Sequence, residues 1–198
     1  MIKLTMPDGS IREAEAGITA LELVKSISNS LAKKVLAVSI DDKVMDLTTV
    51  LDKDAAVQFL TFEDEGGRHA LRHTASHILA QAVKRLYKDA NVQLAIGPAI
   101  ENGFYYDIDM EKRLTDEDLK EIEKEMHKIV KENLKLERKL VSRQEALDMF
   151  TKAGENYKVE LINDLPEDAE ISLYVQGEFT DLCAGPHVVS TGKVKALK

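Results

Sequence analysis

The stretch from Leu71 to Tyr87 constrains the fold of this chain most, because it contains neither proline nor glycine. Its apolar residues recur at helical spacing, so it predicts a long helix, beginning near Gly67, with one buried face. His73 and His77 lie four residues apart and therefore project from the same side of that helix, about one turn apart. The predicted buried stripe consists of Leu71, Ala75, Ile78, Leu79, Ala82, Val83 and Leu86.

A second pair of reactive side chains, Cys183 and His187, has the same spacing more than a hundred residues downstream. Gly185 and Pro186 lie between them and favour a tight loop, so the thiol and the imidazole can converge on one point. If the two pairs meet, three imidazoles and one thiol form either a metal site or a hydrolytic site.

Four interpretations of this set remain open on residue types alone. Zinc could be held by all four side chains, although the glutamate of a zinc-protease helix is missing. A neutral histidine could accept a proton from water without a metal, or Cys183 could act as a nucleophile. The fourth interpretation is a buried cysteine beside structural histidines. We expect His69 and His127 to be surface residues.

Charge and cysteine content narrow the class of protein. The formal charge is −8, which argues against nucleic-acid binding driven by bulk charge but permits a local basic groove. The single cysteine excludes an internal disulfide and suits a reducing compartment. The first residues, MIKLTMPDGS, lack an apolar core of signal-peptide length, and no apolar run approaches the ~18 residues of a membrane span. These features predict a soluble cytoplasmic protein without membrane contact.

The first 62 residues predict a small β-grasp (ubiquitin-like) domain. Pro7-Asp8-Gly9 is a turn between two strands, and Thr19 with Glu22 forms a capping box for a helix that ends near Ser28. Three further strands are expected at 35–40, 43–47 and 56–62. The polar stretch 63–67 ends in two glycines and predicts a domain boundary, which gives domains 1–62 and 63–198.

Residues 63–198 predict an α+β domain with an antiparallel sheet and two long helices. Thr115 and Ser142 open capping boxes, and Asn133 and Gly154 mark the ends of the helices that follow. The tail from Val188 onward shows no obvious core. The predicted strands are 104–110, 134–140, 157–162, 172–175 and 178–182.

Four ordered segments resemble the N-terminal half of bacterial threonyl-tRNA synthetases. They are HTASH (73–77), AIGPAIENGFYYDID (95–109), GENYKVELI (154–162) and FTDLCAGPH (179–187). The HxxxH and CxxxH pairs alone would also fit the alanyl-tRNA editing family. The GFYYD segment and a beginning that resembles a TGS domain favour the threonyl family.

The resemblance implies an editing domain that hydrolyses serine mistakenly attached to threonine tRNA. Such a step is needed because serine differs from threonine by one methyl group, and a missing methyl group weakens binding in a pocket by only ~1–3 kcal/mol. The implied partners are the acceptor end of tRNA(Thr) and the rest of the synthetase, whose aminoacylation core we do not find here. We therefore expect a monomeric fragment without ligase activity. Two alternatives are a non-catalytic tRNA-binding or regulatory arm and a zinc-dependent deacylase of the alanyl trans-editing type.

The resemblance also implies roles for individual side chains. His73 would help activate water, Lys158 would stabilise charge, and Tyr106 and Asp181 would orient the substrate. The implied catalytic set is His73, His77, Lys158, Cys183 and His187. No cofactor is expected to be required, although zinc on His73, His77, Cys183 and His187 is an alternative.

Without the resemblance, the sequence pattern gives three of these residues packing or surface roles. Two further positions differ from the residues that the family usually has. Tyr106 could be a packing residue, and Lys158 and Asp181 would ordinarily be surface charges. Ala184 stands where the family often has arginine, and Ser76 stands where alanine is frequent.

Overall fold

The computed structural model of the chain describes residues 1–197. Contacts between residues divide it into two compact units. The first unit comprises residues 1–72 together with 185–189, and the second comprises residues 73–184 together with the residues from Ser190 onward.

The first unit is a mixed sheet with helices in its connections. The elements are β1 (Ile2–Thr5), β2 (Ile11–Ala14), β3 (Ile18–Thr19), α1 (Ala20–Ile27), α2 (Asn29–Lys34), β4 (Ala37–Ile40), β5 (Lys43–Met45), β6 (Val50–Leu51) and β7 (Ala55–Leu60). The five-stranded sheet has the order β2-β1-β7-β4-β5, in which only the β1–β7 pair is parallel, and β3 pairs with β6. A parallel pair needs a crossover, and α1 and α2 lie within it. This arrangement confirms the predicted β-grasp fold.

Local signals placed the first turn and the first helix correctly. Gly9 has φ +80°, a conformation that glycine adopts without steric cost, and its N–H donates to the Met6 carbonyl. Thr19 and Glu22 form the predicted reciprocal capping box. The sequence interpretation missed α2, because Ser28 not only ends α1 but also caps the next helix by accepting from the Leu31 N–H at 3.2 Å.

The junction after β7 is a helix start rather than a linker. The helix α3 (Glu65–Leu86) includes both glycines of the predicted boundary. A Cβ added at Gly67 would lie 1.9 Å from the Thr61 carbonyl oxygen, so this close approach requires glycine. The first residues of α3, up to Arg72, group with the first unit. The boundary at residue 62 therefore stays a prediction.

The second unit combines two long helices with short antiparallel ladders. The elements after α3 are β8 (Gln93–Leu94), β9 (Ala99–Ile100), β10 (Gly103–Phe104), β11 (Ile108–Asp109), α4 (Asp116–Glu132), β12 (Leu136–Val141), α5 (Arg143–Ala153), α6 (Asn156–Asp164), β13 (Ile171–Gln176), β14 (Phe179–Leu182) and a 3₁₀ turn (Thr191–Lys193). Strands β12, β13 and β14 form a three-stranded antiparallel sheet, while β8 pairs with β11 and β9 pairs with β10.

Helix ends in this unit follow the sequence closely. The capping boxes at Thr115 and Ser142 are both formed, and Asn133 and Gly154 end their helices in the left-handed conformation. The apolar stripe predicted for α3 is less accurate, because Ala75, Ile78, Ala82 and Val83 are buried but Leu86 is 38% exposed.

Three predictions for residues 63–198 are wrong. Residues 157–162 form α6 rather than a strand, because the side chains that become buried are Lys158 and Ile162, at helical spacing. The apolar Tyr157, Val159 and Leu161 are more exposed than these two residues. Residues 104–110 form two short strands, β10 and β11, separated by Tyr105–Asp107, instead of one continuous strand.

The tail is the third error, because it does contribute to packing. Val188 in the first unit and Val194 in the second are 1% and 2% exposed. Thr191 is fully buried, and its hydroxyl donates to the Ile129 carbonyl at 2.8 Å and accepts from the Leu134 N–H at 2.9 Å. The polar Thr191 gave no sign of burial in the sequence.

Candidate functional site

The candidate site begins on α3, which carries both histidines of the HxxxH pair. Their rings meet edge to face with centroids 5.2 Å apart, as the spacing of four residues predicts. His77 is 2% exposed and its ring also meets that of Phe179, while His73 is partly exposed. The two histidines therefore occupy different environments, one buried and one accessible to water.

Asp181 on β14 is the centre of the polar cluster. Alternation along the strand buries Phe179 and Asp181, and the Asp181 side chain is only 2% exposed. Its carboxylate lies 2.6 Å from Lys158 Nζ, accepts from the Tyr106 hydroxyl at 2.5 Å, and lies 3.4 Å from His77 Nε2. Three predicted site residues thus converge on a fourth.

Lys158 is a buried cation rather than the surface charge that its pattern suggested. It lies on α6 with 2% of its surface exposed, and its ammonium group forms an ion pair with Asp181 and donates to the Ala95 carbonyl at 2.6 Å and to the Tyr106 hydroxyl at 3.0 Å. Three oxygen atoms therefore surround the ammonium group. Lys158 is therefore fixed in position.

Burial and charge set the protonation states around Asp181. Burial lowers the pKa of His77 to about 4, with Lys158 acting in the same direction and Asp181 opposing it. Burial raises the pKa of Asp181, but His77, Lys158 and the hydrogen bond from Tyr106 together hold it below its usual value. Burial and the Asp181 charge raise the pKa of Tyr106. At neutral pH the cluster therefore contains an anionic carboxylate, a neutral phenol and a neutral imidazole.

Cys183 lies beside the accessible histidine. Its Sγ is 3.2 Å from His73 Nε2, and Ser172 holds its backbone through a bond to its N–H at 3.1 Å and a bond to its carbonyl at 2.6 Å. Ligand atoms of His73, His77 and Cys183 all lie within 4.8 Å of one another, which makes this cluster a candidate metal site. Two imidazoles and a thiolate are donors that zinc accepts, and a carboxylate beside His77 is a common support for a metal-bound imidazole.

His187 groups with the first unit and is described there. It is 1% exposed, and its backbone N–H donates to the Asp46 carboxylate at 2.7 Å. The preceding Gly185–Pro186 peptide bond is cis. The role of His187 beside Cys183 remains a prediction from the CxxxH spacing.

The structure adds contacts that the sequence did not predict. The Ala95 carbonyl is a partner of Lys158, and the Ser76 hydroxyl lies 2.6 Å from the Gly97 carbonyl. Both carbonyls belong to residues 95–98 (AIGP, the AIGP segment), whose only signal in the sequence is the resemblance to the family. Backbone partners of this kind have no side-chain signature.

Two domain families match parts of the chain. The profile of the TGS domain matches residues 2–61, which cover the first sheet. The profile described as the threonyl and alanyl tRNA synthetase second additional domain matches residues 171–198, which carry Asp181, Cys183 and His187.

Relatives match the chain over its whole length of 198 residues. It is 60% identical to the threonine–tRNA ligase of Acetivibrio thermocellus, 56% identical to that of Desulforamulus reducens and 55% identical to that of Clostridioides difficile. Over this length the chain is similar to the N-terminal region of threonine–tRNA ligases. It spans 31% of the length of each of these relatives. No helix in residues 1–197 is long and apolar enough to cross a membrane.

Proposed function

We propose that the second unit hydrolyses the seryl ester of mischarged tRNA(Thr). The observation that carries this proposal is the buried Asp181 carboxylate, which is held by Lys158 and Tyr106 and lies 3.4 Å from His77 Nε2. The His77 ring in turn meets that of His73, which is partly exposed to water. Fixed, desolvated polar groups next to an accessible base are the arrangement that ester hydrolysis requires.

Recognition of the seryl group follows from the charges of the cluster. A carboxylate has about four acceptor positions, so Asp181 can bind the substrate α-ammonium group while it keeps its present partners. The Tyr106 hydroxyl donates to Asp181 and the Lys158 ammonium group lies against both, so these two side chains hold the carboxylate in position for that contact.

The two histidines have different roles in the proposed reaction. His73 is accessible, so it can take a proton from the attacking water. His77 is neutral at physiological pH and almost completely buried, so it positions Asp181 and the neighbouring ring rather than exchanging protons with solvent. The Lys158 ammonium group stabilises negative charge on the ester oxygen or on the ribose oxygen that leaves.

A zinc-dependent form of the same activity is the second candidate, favoured by the closeness of His73, His77 and Cys183. These residues, with His187 added from the CxxxH spacing, would hold the ion. Bound zinc would supply Lewis acidity and a more acidic water. In the metal-free proposal the same residues line the pocket, and no cofactor is required.

The proposal also covers the binding partners and the cellular location of the chain. The acceptor end of tRNA(Thr) is the proposed partner, together with the rest of a synthetase, and the region 1–62 is proposed as a separate TGS domain. A cytoplasmic location and a monomeric state for this chain remain predictions.

Hydrolysis of seryl-tRNA(Thr) by the purified chain tests the proposal, with His73→Ala as the altered form. His127→Ala is the matched control, because His127 is a half-exposed histidine on α4 whose nearest charged partner is Glu123, 3.8 Å away. We expect His73→Ala to lower the rate roughly 100-fold or more, as for loss of a general base, and His127→Ala to leave it unchanged. A non-catalytic arm would bind the tRNA and hydrolyse nothing.

A further inference from the structure

Ser76 joins α3 to the AIGP segment. It is fully buried, and its hydroxyl oxygen lies 2.7 Å from the His73 carbonyl in its own helix and 2.6 Å from the Gly97 carbonyl. A hydroxyl carries one proton, so the two carbonyls share it. The bond to Gly97 is the one that links separate elements, because the bond to His73 is local to the helix.

Gly97 in turn lies directly against the Tyr106 ring. A Cβ added at Gly97 would lie 2.2 Å from Tyr106 Cδ2 and 2.5 Å from its Cε2. Gly97 is not among the glycines with positive φ, so its backbone conformation does not require glycine. The requirement is space, since the ring occupies the position of a side chain.

The neighbouring backbone prevents these contacts from moving independently. The Ala95 N–H donates to the Asp107 carbonyl at 3.0 Å, and the Asp107 N–H donates to the Ile96 carbonyl at 2.8 Å. Lys158 also donates to the Ala95 carbonyl. The segment 95–97 is therefore bonded to the residue that follows Tyr106, to Lys158 and to Ser76.

We propose that Ser76 and Gly97 are positioning residues that hold the Tyr106 hydroxyl on Asp181. Ser76 fixes the Gly97 backbone, and Gly97 provides the flat surface on which the Tyr106 ring rests. This places the hydroxyl between Asp181, at 2.5 Å, and Lys158, at 3.0 Å. The inference rests on the proposed function, in which Tyr106 orients the seryl group, and it assigns a role to the serine that stands where the family frequently has alanine.

Gly97→Ala tests the contact with the ring, and Gly103→Ala is its matched control. Gly103 lies in β10, has no positive φ, and an added Cβ there would meet no atom within 4 Å. We expect Gly97→Ala to lower kcat/KM for seryl-tRNA hydrolysis at least tenfold and Gly103→Ala to change it less than twofold. Equal effects of the two substitutions would overturn the role of Gly97.

A double-mutant cycle separates positioning of Tyr106 from general support of the fold. Ser76→Ala should lower kcat/KM about 3- to 10-fold, the usual range for one buried hydrogen bond. In a Tyr106→Phe background, Ser76→Ala should lower kcat/KM no further, because the hydroxyl that Ser76 positions is already absent. A loss of the same size in both backgrounds would overturn the proposal and leave Ser76 as a packing residue.

A readout that needs no activity separates failure of this inference from failure of the proposed function. The chain has five tyrosines, so labelling with [ζ-¹³C]tyrosine gives five resonances, and Tyr106→Phe identifies the one from Tyr106. Ser76→Ala and Gly97→Ala should shift that resonance at neutral pH and leave the other four in place. An unmoved Tyr106 resonance would refute the positioning role even if the chain hydrolyses nothing.

Discussion

The Lys158 ammonium group lies 2.6 Å from the Asp181 carboxylate, and the two side chains are only 3% and 2% exposed. Removing one partner of a buried ion pair leaves the other charge without compensation, which typically costs about 3–5 kcal/mol. We therefore expect Lys158→Met to lower the free energy of unfolding by several kcal/mol. Urea unfolding at pH 7 measures this loss.

The double variant Lys158→Met with Asp181→Leu is the control for that experiment. It removes both charges, so it should be more stable than Lys158→Met alone while remaining inactive on seryl-tRNA. If Lys158→Met were as stable as the unaltered chain, the pair would not be buried as described.

His77 makes stability depend on pH. Its pKa is about 4 in the folded chain against 6.5 for an ordinary histidine, because burial disfavours the charged ring. Between these values the unfolded chain binds more protons than the folded chain, so folding stability rises with pH. The His77 contribution is complete above pH 6.5 and is lost as the pH falls towards 4, by up to about 3 kcal/mol.

Urea unfolding at pH 7 and pH 5 of the unaltered chain and of His77→Asn measures this contribution. The unaltered chain should lose more stability over that interval than the variant does. The assignment fails if both lose the same amount, since the loss would then come from other groups.

Binding of Co²⁺ tests the metal alternative without reference to activity. If His73, His77 and Cys183 hold a metal, Co²⁺ should give a thiolate charge-transfer band that disappears in Cys183→Ser. The metal-free proposal predicts that seryl-tRNA hydrolysis persists in the presence of a chelator. Loss of hydrolysis on chelation, restored by added Zn²⁺, would contradict the metal-free proposal and support the zinc-dependent one.

Gly67→Ala tests the junction at the start of α3. The new methyl group would meet the Thr61 carbonyl oxygen at 1.9 Å, so the helix start must move. Overpacking of this kind costs about 1–3 kcal/mol or more, which thermal unfolding would detect as a lower Tm. Gly103→Ala, which meets nothing within 4 Å, should leave Tm almost unchanged. An unchanged Tm in Gly67→Ala would mean that residues 65–67 are a linker after all.

Local features of the fold were predictable because their causes lie within a few residues. The caps at Thr19, Thr115 and Ser142 depend on a partner three positions away, and all three formed as predicted. The error at α6 has the opposite origin. Lys158 is buried because Asp181, Tyr106 and the Ala95 carbonyl neutralise and bond it, and none of these is near it in the sequence.

The candidate site was likewise predictable only where its features depend on residues close together in the sequence. The spacing of His73 and His77 correctly placed two rings together on one helix. The CxxxH spacing indicated Cys183, and the family resemblance supplied Tyr106, Lys158 and Asp181 as candidates, but neither could supply their contacts. The support from Ser76 and Gly97 required the structure, because it depends on a carbonyl oxygen and on the absence of a side chain.

Hydrolysis of seryl-tRNA(Thr) and threonyl-tRNA(Thr) by the unaltered chain, measured side by side, tests the central claim most directly. The account predicts rapid release of serine and release of threonine near the uncatalysed rate, because one pocket must accept the smaller ester and exclude the larger. Failure to cleave the seryl ester, or equal cleavage of both esters, would contradict it.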